Sequence, residues 1–399
     1  MERAIVHMDL DTFFVSCERR EHSELAGIPV IIGGGDRGVV ASCSYEARRF
    51  GVRSAMPVKM ALRLCPEARV VRGDYERYSK YSQEVTEVIR EKVPVLEKAS
   101  IDEFYLDLSG MDRFFGCYQW TREIAEAVTH HTGLPISFAL STNKTVSKIG
   151  TGEAKPKGRL EIPSLEVQPF LNPLSVRKIP MVGDVTFQLL SRVGIRTIET
   201  LSAMPVLILQ QMLGKNGEEL WRKANGIDLS PVVPYSERKS ISTEHTFTND
   251  TIDVFEVKRI LSGMAETLAY QLRREKWLTS TVAVKIRYAN FDTETKQAKT
   301  AYTSLDHTLS KTALDLFDKI YKRRMRLRLV GLRFTNLVHG TYQMNLFEDT
   351  EELINLYQAM DRIKNRFGKH VVGRAGGYEF LSGDKRTKRA WSKIDEIIK

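Results

Sequence analysis

Two acidic residues, Asp102 and Glu103, stand side by side where strand-like sequence reverses direction. Residues 95–99 read as one short strand. Residues 104–108 read as the next, apolar at 104, 106 and 108. Neighbours in a regular strand point to opposite faces, but at a tight turn both carboxylates can face one point. Held that close they repel unless a cation lies between them. A hard ion such as Mg2+, which takes oxygen ligands and keeps part of its water, suits such a turn. A solvated hairpin is the simpler alternative. The amino-terminal segment adds a third carboxylate: residues 4–10 read as a strand ending in Asp9-Leu10, with Asp11 next. Asp9, Asp102 and Glu103 together can hold two Mg2+ ions, which would clamp the attacking and leaving oxygens of a phosphoryl transfer.

Around this triad the chain reads strand, helix, strand, strand, helix, strand. The helices fall over Tyr78 to Ile89 and Trp120 to Val128, and the last strand over residues 134–140. That split β-α-β pattern brings the first strand beside the hairpin. A second β-α-β-β-α-β run follows over residues 241–337, without a carboxylate triad. Charge separates the two. The formal net charge is +10, and residues 236–345 carry 19 Lys and Arg against 12 Asp and Glu, a difference of +7. A basic segment of this kind fits a polyanion-gripping domain. Four cysteines show no paired spacing, so neither a zinc site nor a disulfide framework is indicated. No run of about 18 apolar residues is present, and the amino terminus lacks a signal-peptide pattern, so a cytoplasmic location is expected.

Four ordered motifs carry a resemblance: Asp9-Leu10-Asp11-Thr12-Phe13-Phe14, Ser44-Tyr45-Glu46-Ala47-Arg48, Ser100-Ile101-Asp102-Glu103 and Ala154-Lys155-Pro156. They resemble, from residue 1 to about 347, the motifs of Y-family (translesion) DNA polymerases of the bacterial polymerase IV type, with polymerase V next. The resemblance implies an α+β, multidomain right-hand polymerase. Its palm would take residues 1–10 and 74–164, its small fingers 11–73 and a helical thumb 165–232. A linker would take 233–240, a β-α-β-β-α-β little finger domain 241–342, and a clamp-binding peptide with a carboxy-terminal tail 343–399. It implies a low-fidelity polymerase without proofreading. The enzyme would use primer–template DNA, deoxynucleoside triphosphates and two Mg2+ ions, act as a monomer, and associate with the nucleoid when acting.

The same resemblance assigns residues. Asp9 and Asp102 would hold both metals, the Leu10 carbonyl would be an extra ligand, and Glu103 would complete the site near the primer terminus. Tyr45 and Arg48, one helical turn apart and so on one face, would contact the β- and γ-phosphates, with Ser42 nearby and Lys155 on the triphosphate. Each of these is otherwise an ordinary surface residue. Phe13 and Phe14 read as core side chains; by resemblance Phe14 is the steric gate against a 2′-hydroxyl and Phe13 its packing neighbour. The run Gly33-Gly34-Gly35 reads as a turn, since it lacks the Lys-Ser/Thr of a phosphate loop.

Residues 179–195 resemble a helix-hairpin-helix whose turn, at Val182 and Gly183, would offer backbone N–H groups to a DNA phosphate. The family usually has Gly where this chain has Met181, which puts the close approach in doubt. Gly217 marks a weaker second turn. Residues 227–238 hold two prolines and little periodicity and read as a linker. Gln343-Met344-Asn345-Leu346-Phe347 is either a loop or, as the family carries such peptides here, a sliding-clamp peptide anchored by Gln343, Leu346 and Phe347. Residues 349–367 form an amphipathic helix with Leu353, Leu356, Met360 and Ile363 on its apolar face. Two rivals remain: a catalytically inactive module that binds the clamp and DNA ends, and a nucleotidyl cyclase, which would explain the first unit alone.

Overall fold

The computed structural model describes residues 3–35, 37–111, 116–234, 237–340, 351–368 and 371–373. The chain divides into two compact units, 1–236 and 237–399.

The first unit is built on β1 (Ile5–Leu10), whose six residues are all buried. Its alternation sends Val6, Met8 and Leu10 to one face, where they join the main core. Ile5 goes to the other face, packing on Tyr105 and Val232. Next come α1 (Phe13–Glu21), β2 (Val30–Ile32), β3 (Ser42–Cys43), α2 (Tyr45–Arg49), α3 (Val58–Leu64) and β4 (Arg69–Val71). The three short strands form their own sheet, β3-β2-β4. The glycine run does make a turn: Gly35 has φ +79, and a Cβ on Gly38 would lie 1.6 Å from the Gly34 carbonyl oxygen. The core does not break at residue 10, however. Phe13, Val15 and Cys17 of α1 are buried with β1.

The chain then returns through α4 (Tyr75–Arg90), β5 (Val95–Lys98), β6 (Glu103–Asp107), α5 (Cys117–Thr132), β7 (Ile136–Ser141), α6 (Lys144–Ala154) and β8 (Arg159–Glu161). These complete a sheet of order β5-β6-β1-β7-β8, with β1 central. The core residues Tyr78, Val85 and Ile89 of α4 and Ile124 and Val128 of α5 meet Val6, Met8 and Leu10 there.

Five helices follow: α7 (Val167–Leu171), α8 (Asp184–Arg192), α9 (Ile198–Ser202), α10 (Val206–Leu213) and α11 (Lys215–Ala224). Gly217 lies buried inside α11, where a Cβ would come within 2.0 Å of the Leu209 carbonyl oxygen. Its N–H donates to the Gly214 oxygen at 3.0 Å. It packs α11 closely against α10. The stretch read as a linker from residue 227 is bonded to the rest of the first unit as far as residue 233. Asp228 accepts the Thr145 N–H at 3.1 Å and its hydroxyl at 2.7 Å. Arg3 donates to the Asp228 and Ser230 carbonyls at 3.1 and 2.8 Å. The Val233 N–H reaches Glu97 at 2.7 Å.

The second unit runs β9 (Ser240–Thr251), α12 (Val254–Arg274), β10 (Trp277–Tyr288), β11 (Thr293–Thr303), α13 (Asp306–Ile320), β12 (Leu327–His339) and α14 (Glu351–Phe367). Its antiparallel sheet has the order β11-β10-β12-β9. Val282, Val284 and Ile286 of β10 bury into the core beneath α12 and α13. Ala283 and Lys285 alternate to the other face, which with Ser242, Gln297, Arg333 and Thr335 lines a groove of about 540 Å³.

The last helix docks differently from its apolar pattern. Tyr357 and Lys364 are buried, while Leu356 and Ile363 are exposed. The reason is ionic. Arg273, its side chain 4% exposed, bonds Asp306 at 2.5 Å and Asp361 of α14 at 2.7 Å. Its guanidinium also lies 5.1 Å from the centre of the Tyr357 ring. Satisfying that buried cation outweighs hiding a few aliphatic side chains. Replacing Arg273 with Ala leaves Asp306 buried without its cation, so chemical denaturation should show a loss of about 3–5 kcal/mol. A loss below about 1 kcal/mol would show that the triad does not hold α14.

Candidate active site

The hairpin between β5 and β6 is stitched by Ser100. Its Oγ accepts the N–H groups of Asp102 and Glu103 at 3.2 and 3.0 Å, and its hydroxyl donates to Asp102 Oδ1 at 2.5 Å. Glu103 is the first residue of β6 rather than part of the turn, and it pairs directly across from Asp9 of β1. The Leu10 N–H donates to the Asp102 carbonyl at 3.0 Å, which fastens the end of β1 to the turn. The three expected carboxylates therefore meet at one end of the β1–β6 pair.

Each of them is held by a neighbour. Lys155 Nζ lies 2.5 Å from Asp9 Oδ1, and Lys148 Nζ lies 2.6 Å from both oxygens of Glu103. One helical turn before Lys148, Lys144 bonds Glu97 at 2.7 and 2.8 Å. Among the described residues no three acidic, His or Cys side chains are gathered tightly enough to ligate one ion in this arrangement. The donor set still fits a hard divalent ion. It offers only oxygen, and Asp9 and Glu103 already accept compact positive charge. Burial first, then the nearby Asp102 and Glu103, push the Asp9 carboxyl up to about 6 against the pull of Lys155. Lys148 was missed from the sequence, although 144, 148 and 155 at helical spacing would lie on one face.

Of the expected nucleotide residues, Lys155 meets Asp9 and Tyr45 reaches Asp11. The turn from β1 into α1 passes through Thr12 at φ +45, a conformation uncommon for a β-branched residue. Phe13 is buried. Phe14 stacks on Tyr78, ring centres 4.5 Å apart at 16°. The Tyr78 hydroxyl donates to buried Glu18 at 2.6 Å, so the ring bracing Phe14 is itself pinned. Ser42 lies in β3, opposite Ile32. Tyr45 opens α2 behind Ser44, whose side chain caps the helix. The Arg48 guanidinium lies 4.9 Å from the centre of the Tyr45 ring. Burial and the Asp11 charge push the Tyr45 hydroxyl up to about 12. A cavity of about 430 Å³ opens beside Asp11, Tyr45 and Lys157.

In the helical part, Met181 takes φ +81, the left-handed conformation the family's usual Gly would favour. The Val182 N–H donates to the Ile179 oxygen at 3.1 Å and the Gly183 N–H to the Met181 oxygen at 3.2 Å. Both expected phosphate donors are thus used within the turn. Gln343, Leu346 and Phe347 lie outside the described residues.

Models of the impB/mucB/samB family match residues 8–152, and of that family's C-terminal domain residues 238–346. The DNA polymerase IV of Dehalococcoides mccartyi is 36% identical over 371 residues, covering 92% of this chain and 95% of that protein. DNA polymerase IV 2 of Methanosarcina mazei is 35% identical over 354 residues, 87% and 96% of the two chains. This chain belongs to the Y family of DNA polymerases. A solved Y-family DNA polymerase chimera superposes with a TM-score of 0.77 at 25% identity, covering 84% of this chain and 100% of that one. The polymerase is a template-directed nucleotidyltransferase of the polymerase IV type that depends on divalent metal. Among the described residues, no helix is long and apolar enough to cross a membrane.

Beside the carboxylates of the polymerase, His7 of β1 is 1% exposed, and neither ring nitrogen has a hydrogen-bond partner. Burial, then the charges of Lys148, Lys155 and Lys144, hold its pKa well below 6.5. The unfolded chain therefore takes up a proton near pH 6.5 that the folded chain refuses, and stability falls as pH drops below that value. His7→Phe removes two buried, unpaired polar atoms and should raise stability at pH 7 by about 1–3 kcal/mol. The difference from wild type should widen between pH 7 and 5 in denaturant titrations. A constant difference across that range would show that His7 is not held neutral.

Proposed function

We propose that the polymerase extends a primer by a two-metal reaction at Asp9, Asp102 and Glu103, with low fidelity and without proofreading. The observation that carries this is the convergence of the three carboxylates at one end of the β1–β6 pair, with Lys155 and Lys148 within 2.6 Å of two of them. Asp9, Asp102 and the Leu10 carbonyl would hold the ions, with Glu103 nearest the primer terminus. Bound Mg2+ supplies charge neutralisation at the transferring phosphorus and favours the ionised form of the primer hydroxyl. The side chains do the positioning. Ser100 fixes Asp102, and Lys148 fixes Glu103. Tyr45, Arg48 and Lys155 receive the triphosphate, Arg48 with its forked donor set, and Ser42 lies near them. Phe14, backed by Tyr78, closes the space a 2′-hydroxyl would need.

The basic second unit supports a grip on the duplex backbone that carries no base readout. Residues 343–347 are proposed to dock on a sliding clamp, Leu346 and Phe347 entering an apolar groove. The enzyme is proposed to work as a monomer between encounters with the clamp.

Primer extension with Mg2+ tests the chemistry. Glu103→Ala or Asp102→Ala should lower extension by at least about 10²–10³-fold while DNA affinity stays near wild type. Loss of DNA affinity in step with activity would remove the carboxylates from catalysis. Wild-type DNA binding without extension would favour the inactive binding module instead.

Phe14→Ala should admit ribonucleotides, read as a fall in the dNTP-over-rNTP ratio of kcat/KM. An unchanged ratio would take the gate away from Phe14.

A further inference from the structure

Asp11 is the carboxylate of the amino-terminal motif to which the reaction gives no part. It is 1% exposed. The Ser137 hydroxyl lies 3.0 Å from its Oδ1 and 2.9 Å from its Oδ2. The Lys157 backbone N–H donates to Oδ2 at 2.6 Å. The Tyr45 hydroxyl lies 3.5 Å from Oδ1, the longest of these contacts. Ser137 Oγ in turn accepts the Gly158 N–H at 3.2 Å. Both oxygens are engaged by the protein, so Asp11 differs from Asp9 two residues earlier. It is a junction between β7, the turn after α6, and α2.

The turn it holds carries Lys155. Lys157 has φ +51, a left-handed backbone that non-glycine residues rarely adopt. Such a conformation persists only where surrounding bonds impose it. The bond from Lys157 N–H to Asp11 and the bond from Gly158 N–H to Ser137 fasten the far side of this turn. On its near side Lys155 places its ammonium on Asp9.

We propose that Asp11 is a positioning residue for the incoming nucleotide. Through the Lys157 N–H it sets where Lys155 stands relative to Asp9, and it keeps the Tyr45 hydroxyl facing the same point. Asp11 itself does not touch the triphosphate. Groups placed in advance spare the ordering that binding would otherwise require, and a misplacement near 1 Å can lower rate about 100-fold. The proposal rests on the reading of Lys155 and Tyr45 as triphosphate contacts.

The test is single-nucleotide incorporation by the full chain on a primed template, beside thermal melts and primer–template affinity. The variants are Asp11→Ala, Asp11→Asn, Lys155→Ala and the Asp11→Ala/Lys155→Ala double. Asp11→Ala should raise the KM for the deoxynucleotide about 10–100-fold, with DNA affinity unchanged. Asp11→Asn keeps an oxygen for the Lys157 N–H and should recover most of that loss. The double variant should be worse than Lys155→Ala only by the part Asp11 exerts through Tyr45, and short of the product of the two single effects, because residues acting through one another are not additive.

A wild-type KM in Asp11→Ala overturns the proposal, as does a full multiplication of the two single effects. So does a parallel fall in DNA affinity. Should Asp11→Ala fail to fold, Ser137→Ala carries the same test, with a smaller KM rise expected and an unchanged KM overturning it. The two readings separate cleanly. No extension by wild type, or a normal KM in Lys155→Ala, defeats the nucleotide site itself. A normal Asp11→Ala beside an impaired Lys155→Ala defeats only the role of Asp11.

Discussion

Charge compensation of half-buried carboxylates is the constraint on which the site depends. The acids at the β5–β6–β1 end of the sheet are met by lysines from α6 and the turn after it: Glu97 by Lys144, Glu103 by Lys148, Asp9 by Lys155. Like charges brought together on a sheet edge would otherwise push the strands apart. These acids are thus tolerated because α6 and the turn after it deliver cations to them. A site that accepts ammonium groups at 2.5–2.6 Å is electrostatically ready for small hard ions.

The two units share an element order but not a sheet order: β1 is central in the first sheet, whereas β9 lies at the edge of the second and β12 inside it. Both run β-α-β-β-α-β. In the first, the sheet end beside the β5–β6 hairpin gathers acids. In the second, the sheet face turned from the helices carries Lys285, Arg333 and short polar side chains. Element order alone does not decide this difference; sheet order and the residues at the free positions both differ. The second unit also carries a buried charge network, Arg273 with Asp306 and Asp361, which fixes its last helix.

Much of this was legible in the sequence, for identifiable reasons. The strand ending in Asp9, the Asp-Glu hairpin and the repeated element order are local patterns, and the family relationship fixed their order. Other details are set by tertiary partners. Gly217, read as part of a weaker second turn, lies in the first turn of α11, where α10 crosses too closely for a Cβ. The apolar face of α14 is legible from its periodicity, but the buried Arg273 that meets Asp361 and Tyr357 is not. Residues 227–238 read as a linker, and Asp228 and Glu97 bond the first part of it to the rest of the first unit.

The sequence by itself determined the class of the protein: which acids, aromatics and cations are present, in what order, and on what kind of local element. Those properties follow from periodicity, turn chemistry and motif order, which act over a few residues. Only the tertiary structure decided the partners. It set Lys148 against Glu103, Tyr78 behind Phe14, and Asp11 between Ser137 and Lys157. Asp11 and Lys157 are 146 residues apart, and Asp11 and Ser137 are 126 apart. No local pattern spans such separations; strand order brings these residues together, and burial makes each pairing obligatory.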